Sequence, residues 1–278
     1  MTMPVEDGRE MIDIGGVRLE TFTAGEGPVV LFLHAGLWLG NEKAFLLELA
    51  GHVRVIAPNH PGFGASDPPG NMATPDDLAY FYLDLIDRMK LRNVILAGTS
   101  FGGWIAAEMA TKNCSALSGV ILIDALGIRP GGRNDRDIAD IFGIADRDLI
   151  KLAYANPPDG ADNLRAINDD DELRRRLRAR DGLAHYGWQP FMHNPRLQGR
   201  LHRISVPTLV LWGDRDGIVS PDYGRSFANA IPGAQFELIS SAGHLSHVEQ
   251  PRSVARCIAA FASEISGTDA TADTGAAS

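Results

Sequence analysis

Cysteine is scarce in this chain. Only Cys114 and Cys257 occur in 278 residues, far apart, which excludes a disulfide framework and fits a reducing compartment. Both lie in helix-like sequence and are expected as buried, inert thiols. No run of about 18 apolar residues is present, so no membrane span is expected. Positive charge is also short: 26 Lys and Arg against 35 Asp and Glu give a formal net charge of −9, which argues against nucleic acid as a partner. The densest charge run, Asn168 to Asp181, mixes both signs at four-residue spacing (Asp171 with Arg175, Glu172 with Arg176) and reads as a solvated helix face. The N-terminus lacks a basic-then-apolar segment, so no signal peptide is expected. A cytoplasmic protein is expected, with a small molecule as its partner; the sequence leaves a homodimer open.

What is present is a core. Hydrophobic residues make up 45% of the chain and charged residues 22%, enough for a globular fold. After a hairpin pattern around Gly15-Gly16, short apolar runs recur at 29–36, 53–59, 93–98, 119–127, 208–214 and 235–240. They are continuous rather than alternating, as in strands buried on both faces. Helical stretches separate most of them: Asn41 can cap one ending at Gly51, and Thr74 one that opens with Pro75 and Asp77. The pattern predicts an α/β fold with a mostly parallel sheet and helices on both faces. Residues 129–203 break the rhythm with amphipathic pieces and an aromatic patch, His185 to His193, and read as a helical cap inserted into a core of 1–128 and 204–265. Residues 266–278 are small and polar and predict a disordered tail.

Open parallel sheets bind ligands at the carboxyl ends of their strands. The runs deliver His34, Ser100, Asp124, then Asp214 and Asp216, and finally His244 to that edge. A serine, a carboxylate and a histidine therefore meet there. Gly98-Thr99-Ser100-Phe101-Gly102 lies between a strand and a helix, the context of a nucleophile elbow. A phosphate loop would need a lysine after the glycines, and a dinucleotide fingerprint would need its glycines on the first strand of the unit; neither is found. Serine is a weak nucleophile until a base takes its proton, and His244 is the candidate, with a carboxylate on its other nitrogen. No histidine pair has metal-ligand spacing on a helix, and no cofactor or metal is expected. An apolar pocket is expected from Trp38, Phe101, Tyr186, Trp188, Phe191 and Met192, with Val219 and Leu245 beside the site.

From about Met11 to Phe261 the chain resembles the α/β-hydrolase family, on the stretches Leu33-His34-Ala35-Gly36, HPGFGASDPP, GTSFGGW, VPTLVLWGDRDGIVSP and SAGHLSHVEQP. The resemblance implies a mostly parallel eight-stranded sheet and a triad of Ser100, Asp216 and His244. Asp124 occupies an alternative acid position used by some members, and Asp214 ranks third. It implies an oxyanion hole from the Phe101 N–H and a second N–H after His34. Ala35 stands where the family usually has glycine, so Gly36 is the expected donor, ahead of Leu37. An elbow serine rather than aspartate implies acyl chemistry. Carboxylic ester hydrolysis comes first. Carbon–carbon hydrolysis of the meta-cleavage-product type is second, since its members share a Gly-Pro-Gly loop and often an asparagine before the nucleophile, where this chain has HAGLWLGN and Thr99. Lactonase or perhydrolase activity, or a receptor-like binding module on the same scaffold, complete the alternatives.

Overall fold

In the computed structural model residues 4–5, 9–36, 42–132, 134–157 and 169–273 are described. A two-residue strand, β1 (Pro4–Val5), precedes the hairpin of β2 (Arg9–Ile14) and β3 (Val17–Ala24). Gly15 and Gly16 turn it with φ of +66° and +91°, left-handed backbone that glycine adopts without a Cβ clash. Then β4 (Val29–Leu33), α1 (Lys43–Ala50), β5 (Arg54–Pro58), α2 (Pro75–Arg88), β6 (Val94–Thr99), α3 (Phe101–Lys112) and β7 (Leu117–Ile123) alternate. After α4 (Asp146–Ala153) and α5 (Asp170–Gly187) come β8 (Thr208–Gly213), α6 (Pro221–Asn229), β9 (Gln235–Ile239), α7 (Ser246–Glu249) and α8 (Pro251–Asp273). The sheet order is β1-β2-β3-β5-β4-β6-β7-β8-β9. Eight strands are full-length and β1 extends the edge. Every pairing from β5 to β9 is parallel, while β3 meets β5 antiparallel.

The continuous apolar runs are explained by two cores, one per face. Because strand side chains alternate, Leu31, Leu33, Leu96, Leu122, Val210 and Trp212 face α2, α3 and α6. Val30, Phe32, Ile95, Ala97, Ile121 and Leu211 face α1 and α8. Burying one such Leu or Ile is worth about 1.5–3 kcal/mol. The last strand differs. β9 is mostly exposed, with Leu238 42% accessible, although its sequence reads as buried on both faces; it closes the sheet, with a neighbouring strand on one side only.

Local signals behave as their chemistry requires. Thr74 caps α2 in a reciprocal capping box with Asp77, and Pro75 opens the helix. Asn41 lies outside the described residues, and Glu42 occupies the cap position of α1 without a side-chain capping bond. On α5, Glu172 pairs with Arg176 as expected, but Asp171 takes Arg174, three residues on. Cys114 and Cys257 are half-buried rather than buried; burial pushes the Cys257 thiol up to about 11, so it stays protonated. α8 continues to Asp273, through residues expected as a disordered tail. Adding a residue to an existing helix forms a hydrogen bond without a new nucleus. Residues 274–278 lie outside the described residues.

Residues 124–207, between β7 and β8, carry no strand beyond the isolated bridge Gly127–His193 among the described residues. Their helices lie on the strand-end loops. On α5, Arg178 donates to the Ser66 carbonyl and Tyr186 to the Pro61 carbonyl, both in the loop after β5. At the end of α4, the Leu152 carbonyl accepts from Gly217 N–H.

Candidate active site

Ser100 sits between β6 and α3 with φ +51° and ψ −113°, a sparsely populated backbone region for a residue with a Cβ. Its surroundings over-determine that strain. Ser100 N–H donates to Ile123 O, while its own carbonyl accepts from Trp104 and Leu126 N–H. The flanking glycines are required by contact. A Cβ on Gly98 would lie 2.3 Å from the Gly102 carbonyl oxygen, and one on Gly102 would lie 2.1 Å from that of Leu33. The turn is thus packed against β4, and the first N–H groups of α3, lacking intrahelical acceptors, point out at Ser100.

Ser100 Oγ lies 2.8 Å from His244 Nε2, and His244 Nδ1 lies 2.8 Å from Asp216 Oδ2. The other Asp216 oxygen accepts from Ile218 and Val219 N–H at 2.8 and 3.0 Å. Each of the three residues is 6% exposed. An Asp216 carboxylate can only accept, so Nδ1 carries the proton and Nε2 offers its lone pair to the serine. Burial opposes a charged imidazole, but the charge and hydrogen bond of Asp216, with the charge of Asp124, outweigh it and hold His244 above its ordinary pKa.

The other acids do different work. Asp124 holds φ +46° and does not bond His244. Its Oδ1 accepts from Gly213 N–H at 2.7 Å, and its Oδ2 from Ser246 N–H and Oγ at 3.1 and 2.6 Å. It ties the end of β8 to the loop after His244. Burial and the Asp216 charge push its carboxyl up to about 7. Asp214 accepts from Ala242 N–H, bracing the turn.

His34 and His60 form a buried, stacked pair with ring centroids 3.8 Å apart. His34 Nδ1 donates to Ala35 O at 2.6 Å, and its Nε2 accepts from His60 N–H at 2.9 Å. His60 Nε2 donates to His34 O, and its Nδ1 accepts from the Tyr82 hydroxyl. Both rings are therefore neutral, and burial holds His60 well below its ordinary pKa. His60 lies in the loop after β5 and is 0% exposed. His247 is also 0% exposed and faces Thr99 and Glu42 rather than the serine.

The expected pocket residues divide. The Tyr186 and Phe101 rings lie 5.9 Å apart, placing α5 over the elbow. Val219 and Leu245 are buried beside Asp216 and His244. Met192 is 0% exposed and belongs to the core. Trp188 is 60% exposed against Phe142. With Phe191 it lines a cavity of about 420 Å³ whose walls are largely Asp and Arg and include none of Ser100, Asp216 and His244. Trp38 and Leu37 lie outside the described residues. Gly36 abuts α5, where an added Cβ would meet the Leu183 side chain at 2.6 Å. Sequence reasoning missed Glu249, whose carboxylate accepts from Gly243, Ala155 and Asn156 N–H at 2.6, 3.1 and 2.9 Å. It joins the His244 loop to the segment after α4; its only signal was a charged residue inside SAGHLSHVEQP. Among the described residues no three His, Cys, Asp or Glu side chains are placed to share a metal ion, and no helix is long and apolar enough to cross a membrane.

Residues 30–257 match the model of the alpha/beta hydrolase family. The chain is 26% identical to 2-hydroxymuconate semialdehyde hydrolase of Pseudomonas sp. (strain CF600), covering 93% of this chain and 95% of that protein. Among solved structures it is similar to a thermophilic esterase from Thermogutta terrifontis, with TM-score 0.73 and 28% identity over 92% of this chain and 98% of that one. A serine hydrolase involved in carbazole degradation shares the fold, with TM-score 0.73 and 23% identity over 92% and 98% of the two chains.

Proposed function

The chain belongs to the α/β-hydrolase family, and we propose that it is a serine hydrolase cleaving a carboxylic ester through an acyl-enzyme on Ser100. The observation that carries this reading is the hydrogen-bonded series Ser100, His244, Asp216 at 2.8 Å per step. In the proposed scheme Ser100 Oγ bonds to the ester carbonyl carbon while His244 Nε2 takes its proton. The carbonyl oxygen becomes an oxyanion that meets the N–H groups of Phe101 and Gly36. Collapse breaks the bond to the alcohol oxygen, which receives the proton from His244. Water, deprotonated by the same nitrogen, then attacks the acyl-enzyme and releases the acid and Ser100. Asp216 keeps the imidazole in the tautomer that accepts at Nε2 and stabilises its charged form.

Phe101, Tyr186, Val219 and Leu245 favour a small to medium substrate with an apolar or aromatic acyl group. The segment 129–203 acts as a cap, through α5 over the elbow. Lactones, being cyclic esters, fall within the same scheme.

The second reading is hydrolysis of a carbon–carbon bond in a meta-cleavage product. It is favoured by relatives such as 2-hydroxymuconate semialdehyde hydrolase, and opposed by Ala35 and Thr99 where those enzymes resemble one another in glycine and asparagine. Steady-state kinetics on p-nitrophenyl acyl esters and on a ring-fission dienone separate the two. The better ester should exceed the dienone in kcat/KM by about tenfold or more, with both activities lost in Ser100→Ala. Turnover of the dienone alone overturns the ester reading.

A further inference from the structure

Glu42 is 1% exposed, and one of its carboxylate oxygens, Oε2, has no hydrogen-bond partner among the described residues. A buried, half-satisfied carboxylate is costly, and a site that served packing alone would be better filled by Leu or Met. What retains it is on the other oxygen. Oε1 accepts from Ala35 N–H at 3.1 Å and lies 3.1 Å from His247 Nε2. That second contact is close but is not aligned as a hydrogen bond, so the two side chains pack against each other at their polar ends. His247 in turn lies 3.3 Å from Thr99 Oγ1 through Nδ1. Glu42 therefore stands where three segments meet: the loop after β4, the residue before Ser100, and the helix just after His244.

The contact with Ala35 has a stereochemical consequence. The Ala35 N–H, held by Glu42, is not free to meet a substrate. The next peptide unit has its carbonyl, Ala35 O, held by His34 Nδ1. A trans peptide is planar with its N–H opposed to its C=O, so this grip directs Gly36 N–H away from the His34 ring. Two successive peptide units are thus held, the first by Glu42 and the second by His34. Leu183 of α5 packs close to Gly36.

We propose that Glu42 is a positioning residue: braced by His247, it sets the oxyanion loop so that Gly36 N–H serves as the second donor to the oxyanion on Ser100. This also explains how the chain works with alanine at position 35. Alanine is acceptable because the anchoring of its N–H, and not a glycine-only backbone, orients the donor that follows. The inference rests on the serine-hydrolase reading of the site.

The test uses Glu42→Gln, Glu42→Met and the double variant Glu42→Met/His247→Leu, with kcat and KM on a p-nitrophenyl ester, Ki for a trifluoromethyl ketone that forms a tetrahedral adduct, and melting temperature. Gln keeps an acceptor for Ala35 N–H and should retain kcat within about threefold, whereas Met should lower kcat about 10- to 100-fold at unchanged KM, as for a misaimed oxyanion donor. Ki should rise by the same factor as kcat falls. The double variant removes both buried polar partners together and leaves neither one alone, so it should recover thermal stability without recovering kcat. Recovery of kcat together with stability, a loss in Gln equal to that in Met, or a fall in kcat with Ki unmoved would each overturn the proposal. If Ser100→Ala retains the wild-type rate, the reading of the whole site fails instead, and that control tells the two failures apart.

Discussion

Replacing Asp216 by Asn should abolish activity through a single proton, and the neighbouring bonds say why. Asp216 Oδ1 is held by two N–H donors, Ile218 and Val219, at 2.8 and 3.0 Å. An asparagine there keeps its one carbonyl oxygen on those donors and turns its NH₂ toward His244. The amide can only donate in that direction, so Nδ1 must become the acceptor and the imidazole proton moves to Nε2. Nε2 then points an N–H at Ser100, where a lone pair is needed. A comparable wrong-tautomer substitution in another serine hydrolase lowers kcat by about 10⁴, and the same order is expected for Asp216→Asn. Asp124 cannot take over, because both of its oxygens are engaged by Gly213 and Ser246. Single-turnover release of p-nitrophenol reads the acylation step directly, and circular dichroism checks the fold. An acylation rate within tenfold of wild type would refute the tautomer argument.

Activity should be lost as pH falls, because protonated His244 cannot accept from Ser100. With its pKa held above the ordinary value, the acid limb of kcat/KM should have its midpoint above about 6.5; a midpoint at or below that would mean that burial of the imidazole outweighs the charge of Asp216. Gly102→Ala would force a Cβ to within 2.1 Å of the Leu33 carbonyl, so it should destabilise by at least about 2 kcal/mol; denaturant titration with an unchanged midpoint would show that β4 and α3 can part. Glu249→Ala removes one acceptor shared by Gly243, Ala155 and Asn156 N–H. It should speed hydrogen exchange at all three and lower kcat about tenfold, and unaltered exchange at Ala155 and Asn156 would remove Glu249 as the link between the two segments.

Much of this architecture is legible before any coordinates because burial on both faces leaves a plain signature. β4 to β8 carry continuous apolar runs, and the carboxyl ends of parallel strands share an edge; Ser100 follows β6, Asp216 follows β8 and His244 follows the more exposed β9 on that same edge. The Thr74–Asp77 box is legible because capping is local. Roles that depend on direction are not. Asp124 and Asp216 both end strands and differ only in which N–H groups their oxygens meet. Trp188 and Tyr186 sit two residues apart in one aromatic patch, yet their positions on α5 and just past it put one in solvent and the other over the elbow. The Glu42–His247 contact joins residues some two hundred positions apart, and no motif announces it.

Everything proposed for this chain depends on Ser100 being a nucleophile made reactive by His244. Intact-mass measurement after incubation with a fluorophosphonate reads that property without any assumption about the substrate. One adduct per chain, mapped to Ser100, absent in Ser100→Ala and strongly slowed in His244→Ala, is the predicted result. An unlabelled wild-type chain that is folded, as a receptor-like module would give, or a label carried on another residue, would contradict it.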